Sequence, residues 1–154
     1  MKKEIIWFET AKGHLRTAKK NFEIGEDVNA FREAIACAEV AIKSIMIKKG
    51  IFTEKKDEHH RTIVLIKKIK SAQCLSPNII AQLDNLIGNE SRGGLGYIDI
   101  SSPSGNHMDT IAAKYPNLRY PVGNTIPDHM VTKANVSEKI KQAEQLINIL
   151  SPLF

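Results

Sequence analysis

Apolar residues in the first part of the chain return every three or four positions. Phe8, Ala11, Leu15, Ala18 and Phe22 make one such series, with Trp7 at its edge, and the spacing puts them on one face of a helix of about five turns. Gly13 interrupts the series at about 1 kcal/mol relative to alanine, which packing of the apolar face can offset, and Gly25 closes it. A second series follows the same rule: Phe31, Ala34, Ala38, Ala41 and Ile45, flanked by Ile35, Ile42 and Met46, with Asp27 as the expected N-cap and Gly50 as the stop. Its stripe is rich in alanine. Small side chains let a neighbouring backbone come close, so this helix is expected at the centre of the fold, antiparallel to the first.

The signals then weaken before they recover. Residues 53–60 are polar and read as a loop, while Ile63 to Ile66 with Lys67, Lys68 and Ile69 suits a strand or a helix by itself, and its helical neighbours favour helix. Ser76 and Pro77 combine an N-cap with a first-position proline ahead of Ile79, Ile80, Leu83, Leu86 and Ile87, and Gly88 ends that helix. From Gly88 to Pro127 the pattern breaks: five of the nine glycines fall between 88 and 105 and four of the six prolines between 103 and 127, so the stretch reads mostly as loop. Within it, Leu95 to Ile100 suits a short extended piece and Met108 to Lys114 a short helix. Val136, Ile140, Ala143, Ile147 and Leu150 form the last stripe, Asn135 and Glu138 have the offset of a capping box, and Pro152 stops it. The expected fold is all-α, an up-and-down bundle of about five helices in a single domain over 1–154, with a loop excursion at 88–127 before the C-terminal helix.

Composition narrows the function classes more than it names one. With 154 residues, 42% hydrophobic and 25% charged, the chain has ordinary globular usage, which excludes wholesale disorder and fibrous repeats. No run approaches the roughly 20 apolar residues of a membrane span, and the start meets Glu9 and Lys12 instead of a signal-type apolar core, so a cytoplasmic protein with no membrane partner is expected. Cys37 and Cys74 form no CxxC pair and are expected as small buried hydrophobes. The net charge of +5 belongs to the first half, where residues 1–75 hold 16 Lys and Arg against 10 Asp and Glu. Such a half can attract phosphates, but its charges alternate with acids along helical patterns, as on any solvated helix surface.

Few residues carry a chemical suggestion of their own. Glu39 and Lys43 are one helical step apart in the favourable order, which suits a structural ion pair or a lysine held ready for phosphate by an orienting carboxylate. His59 and His60 follow Asp57 and Glu58, yet adjacent side chains on a helix diverge, so no metal site is expected and His60 reads as a residue that caps or docks its helix. His14, His107 and His129 have no partner at ligand spacing and read as surface or packing residues. The stretch from Arg92 to Gly96 lacks the lysine and serine ending of a P-loop, and Ser101 to Ser104 has no assignable base. Leu118-Arg119-Tyr120-Pro121 sets a bidentate phosphate donor beside a stacking ring in a stiffened loop, an arrangement equally suited to packing.

Taken in order, Trp7, Ala11 and Leu15, then Ala34, Ala38, Glu39 and Lys43 ahead of Gly50, then His60 opening a helix, then Arg119-Tyr120-Pro121 before a terminal helix with Ala143 and Glu144, this chain resembles the HEPN family of prokaryotic helical proteins. The resemblance spans nearly the whole chain. It implies a five-helix bundle that commonly forms homodimers, binding of a nucleotide or RNA, and pairing with a small nucleotidyltransferase in toxin-antitoxin modules. Many members are ribonucleases with an arginine and a histidine separated by about four to six residues. This chain departs from that pattern: the positions where such an arginine would precede His129 are Val122, Gly123 and Asn124, those for His107 are Ile100, Ser101 and Ser102, and His14, His59 and His60 fail as well. Arg119 and His129 have nine residues between them, and the acidic residue the family often has after Arg-Tyr-Pro is Val122 here.

The leading expectation is a noncatalytic nucleotide-binding or partner-binding protein without a cofactor. In it, Arg119 and Lys43 meet phosphate, Glu39 orients Lys43, Tyr120 or Trp7 offers a ring to a base, and His60 belongs to the same ligand-binding set. The competing expectations are a metal-independent ribonuclease toxin using Arg119 and His129, and a structural subunit whose ligand is its protein partner.

Overall fold

The structure, a computed structural model, describes residues 1–53, 62–87 and 131–154. Among these, all regular structure is helical: α1 Lys3–Glu23, α2 Asp27–Lys48, α3 Thr62–Ala72, α4 Pro77–Ile87, α5 Lys133–Leu150, and a 3-10 turn Ser151–Leu153. The ambiguous apolar run at 63–69 is helix. The expected excursion at 88–127, with its short pieces, lies outside the described residues, as do residues 54–61 of the polar loop.

The α1–α2 hairpin is closed by small side chains. Ala11 and Ala18 on α1, and Ala30, Ala34, Cys37, Ala41 and Ser44 on α2, are all fully buried, and the Cys37 thiol meets the backbone of Leu15 across the seam. On α2 these positions recur every three or four residues, which brings the two backbones close along several turns. Cys37 thus takes the place expected of it, whereas Cys74 is only partly buried, its thiol 3.9 Å from the Ile69 carbonyl.

The C-terminal helix closes the bundle. Lys133 at its start reaches Asp27 at 3.2 Å and lies over the Phe22 ring, Lys19 meets Glu144 at 2.7 Å, and Phe154 stacks on Phe8 with ring centroids 4.2 Å apart. These contacts order α5 antiparallel to α1 and parallel to α2. Its stripe of Val136, Ile140, Ala143, Leu146, Ile147 and Leu150 is buried against both. α3 packs on α2 through Leu65, Ile66 and Ile69, α4 packs on α5 through Leu83, Leu86 and Ile87, and Lys70 to Asp84 ties α3 to α4. No helix among the described residues is long and apolar enough to cross a membrane.

Helix ends follow the expected chemistry with two corrections. Gly25 (φ +81°) and Gly50 (φ +72°) end α1 and α2 in left-handed turns, where the amides of Gly25 and Glu26 donate to Phe22 and Asn21, and those of Gly50 and Ile51 to Ile47 and Met46. Ser76 caps α4 by accepting from the Ile79 amide. Asp27, expected as the N-cap of α2, is instead its first helical residue: Glu26 holds the cap position without a side-chain bond, and the Asp27 carboxylate is taken by Lys133. For α5 the expected Asn135 and Glu138 box is replaced by Thr132, whose hydroxyl accepts from the Asn135 amide at 3.2 Å, because the helix begins three residues before Val136.

Gln73 ends α3 at φ +51°, a left-handed conformation that costs a non-glycine residue about 1 kcal/mol. Gln73→Gly should therefore stabilise the chain and raise Tm by about 2 °C, and Gln73→Val should lower it, as differential scanning calorimetry will show.

Candidate functional site

α2 has two unlike sides. Opposite the small-residue seam, about half a turn round the helix, stand Glu39 and Lys43. Residues there would ordinarily be solvated, but α2 is central and enclosed on this side as well: Ile35, Ile42 and Met46 are at most 2% exposed and Lys43 only 7%. The Lys43 ammonium donates to Glu39 Oε1 at 2.6 Å, with both side chains largely removed from water. A buried pair of this kind contributes little net stability, because desolvation offsets the Coulomb attraction, whereas removing one partner strands the other charge. What it does achieve is a dehydrated ammonium held in one place.

A second buried ammonium was not anticipated. Lys139 lies in the core-facing stripe of α5, between Val136 and Ala143, and is 3% exposed. Burial pushes its pKa down to about 8, and the neighbouring Glu138 carboxylate opposes this only in part. Lys139 has an interaction partner there. Its position was readable as one turn from Val136 and Ala143, yet a lysine at such a place more often snorkels to solvent. Ser44, also on α2, donates its hydroxyl to the Ala41 carbonyl, and the buried Thr62 hydroxyl has no hydrogen-bond partner among the described residues.

The other sequence candidates divide by position. Arg119, Tyr120 and His60 lie outside the described residues, as do His59, His107 and His129. Trp7 is half-buried and meets Phe52 edge to face, with centroids 5.4 Å apart. His14, expected as a surface or packing residue, is partly buried and faces Glu33 of α2, Nδ1 to Oε2 at 2.6 Å. A pairing between two helices leaves no signal in local spacing. Among the described residues no three His, Cys, Asp or Glu side chains gather as a metal site.

A model of the HEPN domain matches residues 6–153. The chain belongs to the HEPN family. No curated protein and no solved structure matches it. The match runs from within α1 through α5, so Glu39, Lys43 and Lys139 all stand within the HEPN domain.

The Lys139 shift has a definite sign. An unfolded lysine titrates near 10.5 and the folded one near 8, so between those values the unfolded HEPN chain binds more protons and native stability rises with pH. Below about 8 the burial penalty is fully present. Lys139→Met should raise Tm at neutral pH, with a gain that shrinks toward zero as pH approaches 10.5, read as the difference between variant and wild-type melts across that range.

Proposed function

We propose that this HEPN protein is a noncatalytic nucleotide-binding protein whose phosphate contact is Lys43, oriented by Glu39. One observation carries the reading: an ammonium 7% exposed and fixed at 2.6 Å by a carboxylate on the same helix. A dehydrated cation interacts more strongly with a phosphate than a solvated one, and its fixed position lowers the ordering cost of binding. Arg119 and Tyr120 join it on the strength of the sequence, as a bidentate donor and a stacking ring stiffened by Pro121. We further propose that the protein is cytoplasmic, acts as a homodimer and partners a nucleotidyltransferase in a toxin-antitoxin module, following the family.

Thermal melts with a panel of nucleoside mono-, di- and triphosphates test the ligand. At a hundredfold excess over Kd, stabilisation of about 2.7 kcal/mol, several degrees, is expected for wild type. Lys43→Met should abolish it, and because that change strands Glu39, the double variant Lys43→Met, Glu39→Gln serves as the fold-preserving control. Arg119→Lys should leave the unliganded Tm unchanged and weaken the response. No stabilisation by any nucleotide would refute the reading. Metal-independent cleavage of single-stranded RNA that is lost in His129→Ala would replace it with a ribonuclease toxin.

Light scattering tests the assembly. A mass twice that of the 17.2 kDa chain is expected at tens of micromolar, and a monomeric mass would remove the homodimer.

A further inference from the structure

A groove of about 410 Å3 lies between α4 and α5. Its floor is Leu86, which is buried, and Ile149, which is partly buried against the core. Its rim is four exposed carboxamides, Gln82 and Asn85 from α4 with Gln145 and Asn148 from α5. Within each helix the two amides stand three residues apart, which puts them on one side of it. None of the four makes a hydrogen bond among the described residues, so each keeps two N–H donors and a carbonyl acceptor for whatever covers the groove.

The lining carries no charge. α4 holds one charged residue, Asp84, which is turned to Lys70 of α3, and from Gln145 to Phe154 no side chain is charged. Glu138 and Lys141 lie earlier on α5, outside the lining. Elsewhere this chain of net charge +5 exposes cations, Arg16 and Lys20 on α1 and Lys67 on α3. Neutrality selects the occupant. A charged partner would lose hydration against a surface with no opposite charge to return, whereas a second copy brings the same neutral surface. In a two-fold dimer a patch meets itself, so lysines or arginines there would face one another, while a carboxamide, both donor and acceptor, pairs with its own copy. Closing the groove in this way also takes its apolar floor out of water.

We propose that the groove between α4 and α5 is the face through which two copies of this chain associate, with Leu86 and Ile149 near the two-fold axis and the amides of Gln82, Asn85, Gln145 and Asn148 bonding to those of the second copy around them. The assignment rests on the homodimer proposed above and gives it a surface.

Light scattering on charge variants tests it. At the concentration where wild type is dimeric, the double variant Gln82→Lys, Gln145→Lys should be monomeric, its dissociation constant raised about tenfold or more by like charges brought face to face, and so should Gln82→Glu, Gln145→Glu. An equimolar mixture of the two variants should recover the dimeric mass, because lysine then meets glutamate across the interface. The mixture also reports on folding, since chains that had failed to fold would not reassociate. Thr10→Lys, which adds the same charge at an exposed position on α1, should stay dimeric. A dimeric lysine variant, a mixture that stays monomeric, or loss of the dimer in Thr10→Lys overturns this face while leaving the homodimer in place. A monomeric wild type removes the homodimer and this face together.

Discussion

The close approach of α1 and α2 governs the rest of the molecule. It depends on side chains too small to hold the helices apart, Ala11 and Ala18 facing Ala30, Ala34, Cys37 and Ala41, all without exposed surface. A larger residue at Ala34 or Ala41 would force the backbones apart, and a packed core accommodates such insertions poorly. With α1 seated so tightly, α5 can rest against both members of the pair and α3 can cover α2 as well. α2 becomes a mostly enclosed helix, with thirteen of its twenty-two residues buried. That enclosure turns an ordinary i, i+4 ion pair into a dehydrated one.

Two lysines enter this interior on different terms. Lys43 brings its neutralising carboxylate on the same helix one turn away, while Lys139 sits within an apolar stripe, and burial lowers its proton affinity. The first arrangement fixes a cation, and the second makes the ammonium responsive to pH above neutrality. The bundle's exterior uses charge differently. Lys19 with Glu144, Lys133 with Asp27 and His14 with Glu33 join separate helices at partly exposed positions, where such pairs add little stability but favour one relative placement of the helices.

Membership of the HEPN family accounts for the architecture and leaves the chemistry to particular side chains, since a fold hosts many functions and a site defines one. Lys43 is buried with Glu39 on one side of α2, while Arg16 and Lys20 are exposed on the outer side of α1. In the Glu39–Lys43 and Glu33–His14 pairs a carboxylate oxygen holds a nitrogen of its partner at 2.6 Å.

Local pattern was enough for the helices, the left-handed stops at Gly25 and Gly50, the Ser76 cap and the family, because apolar recurrence every 3.6 residues and the conformational freedom of glycine act over a few residues of chain. The Glu39–Lys43 pair was legible for the same reason, since its partners are four residues apart. Its burial was not, because that depends on which helices surround α2. Asp27 looked like a cap until Lys133, 106 residues away, claimed its carboxylate, and the Glu33 partner of His14, 19 residues on, left no mark in local spacing. Lys139 had the spacing of a core residue and the chemistry of a surface one. The tertiary structure decided between them, because desolvation and ion pairing are set by neighbours in space, which local spacing along one helix does not specify.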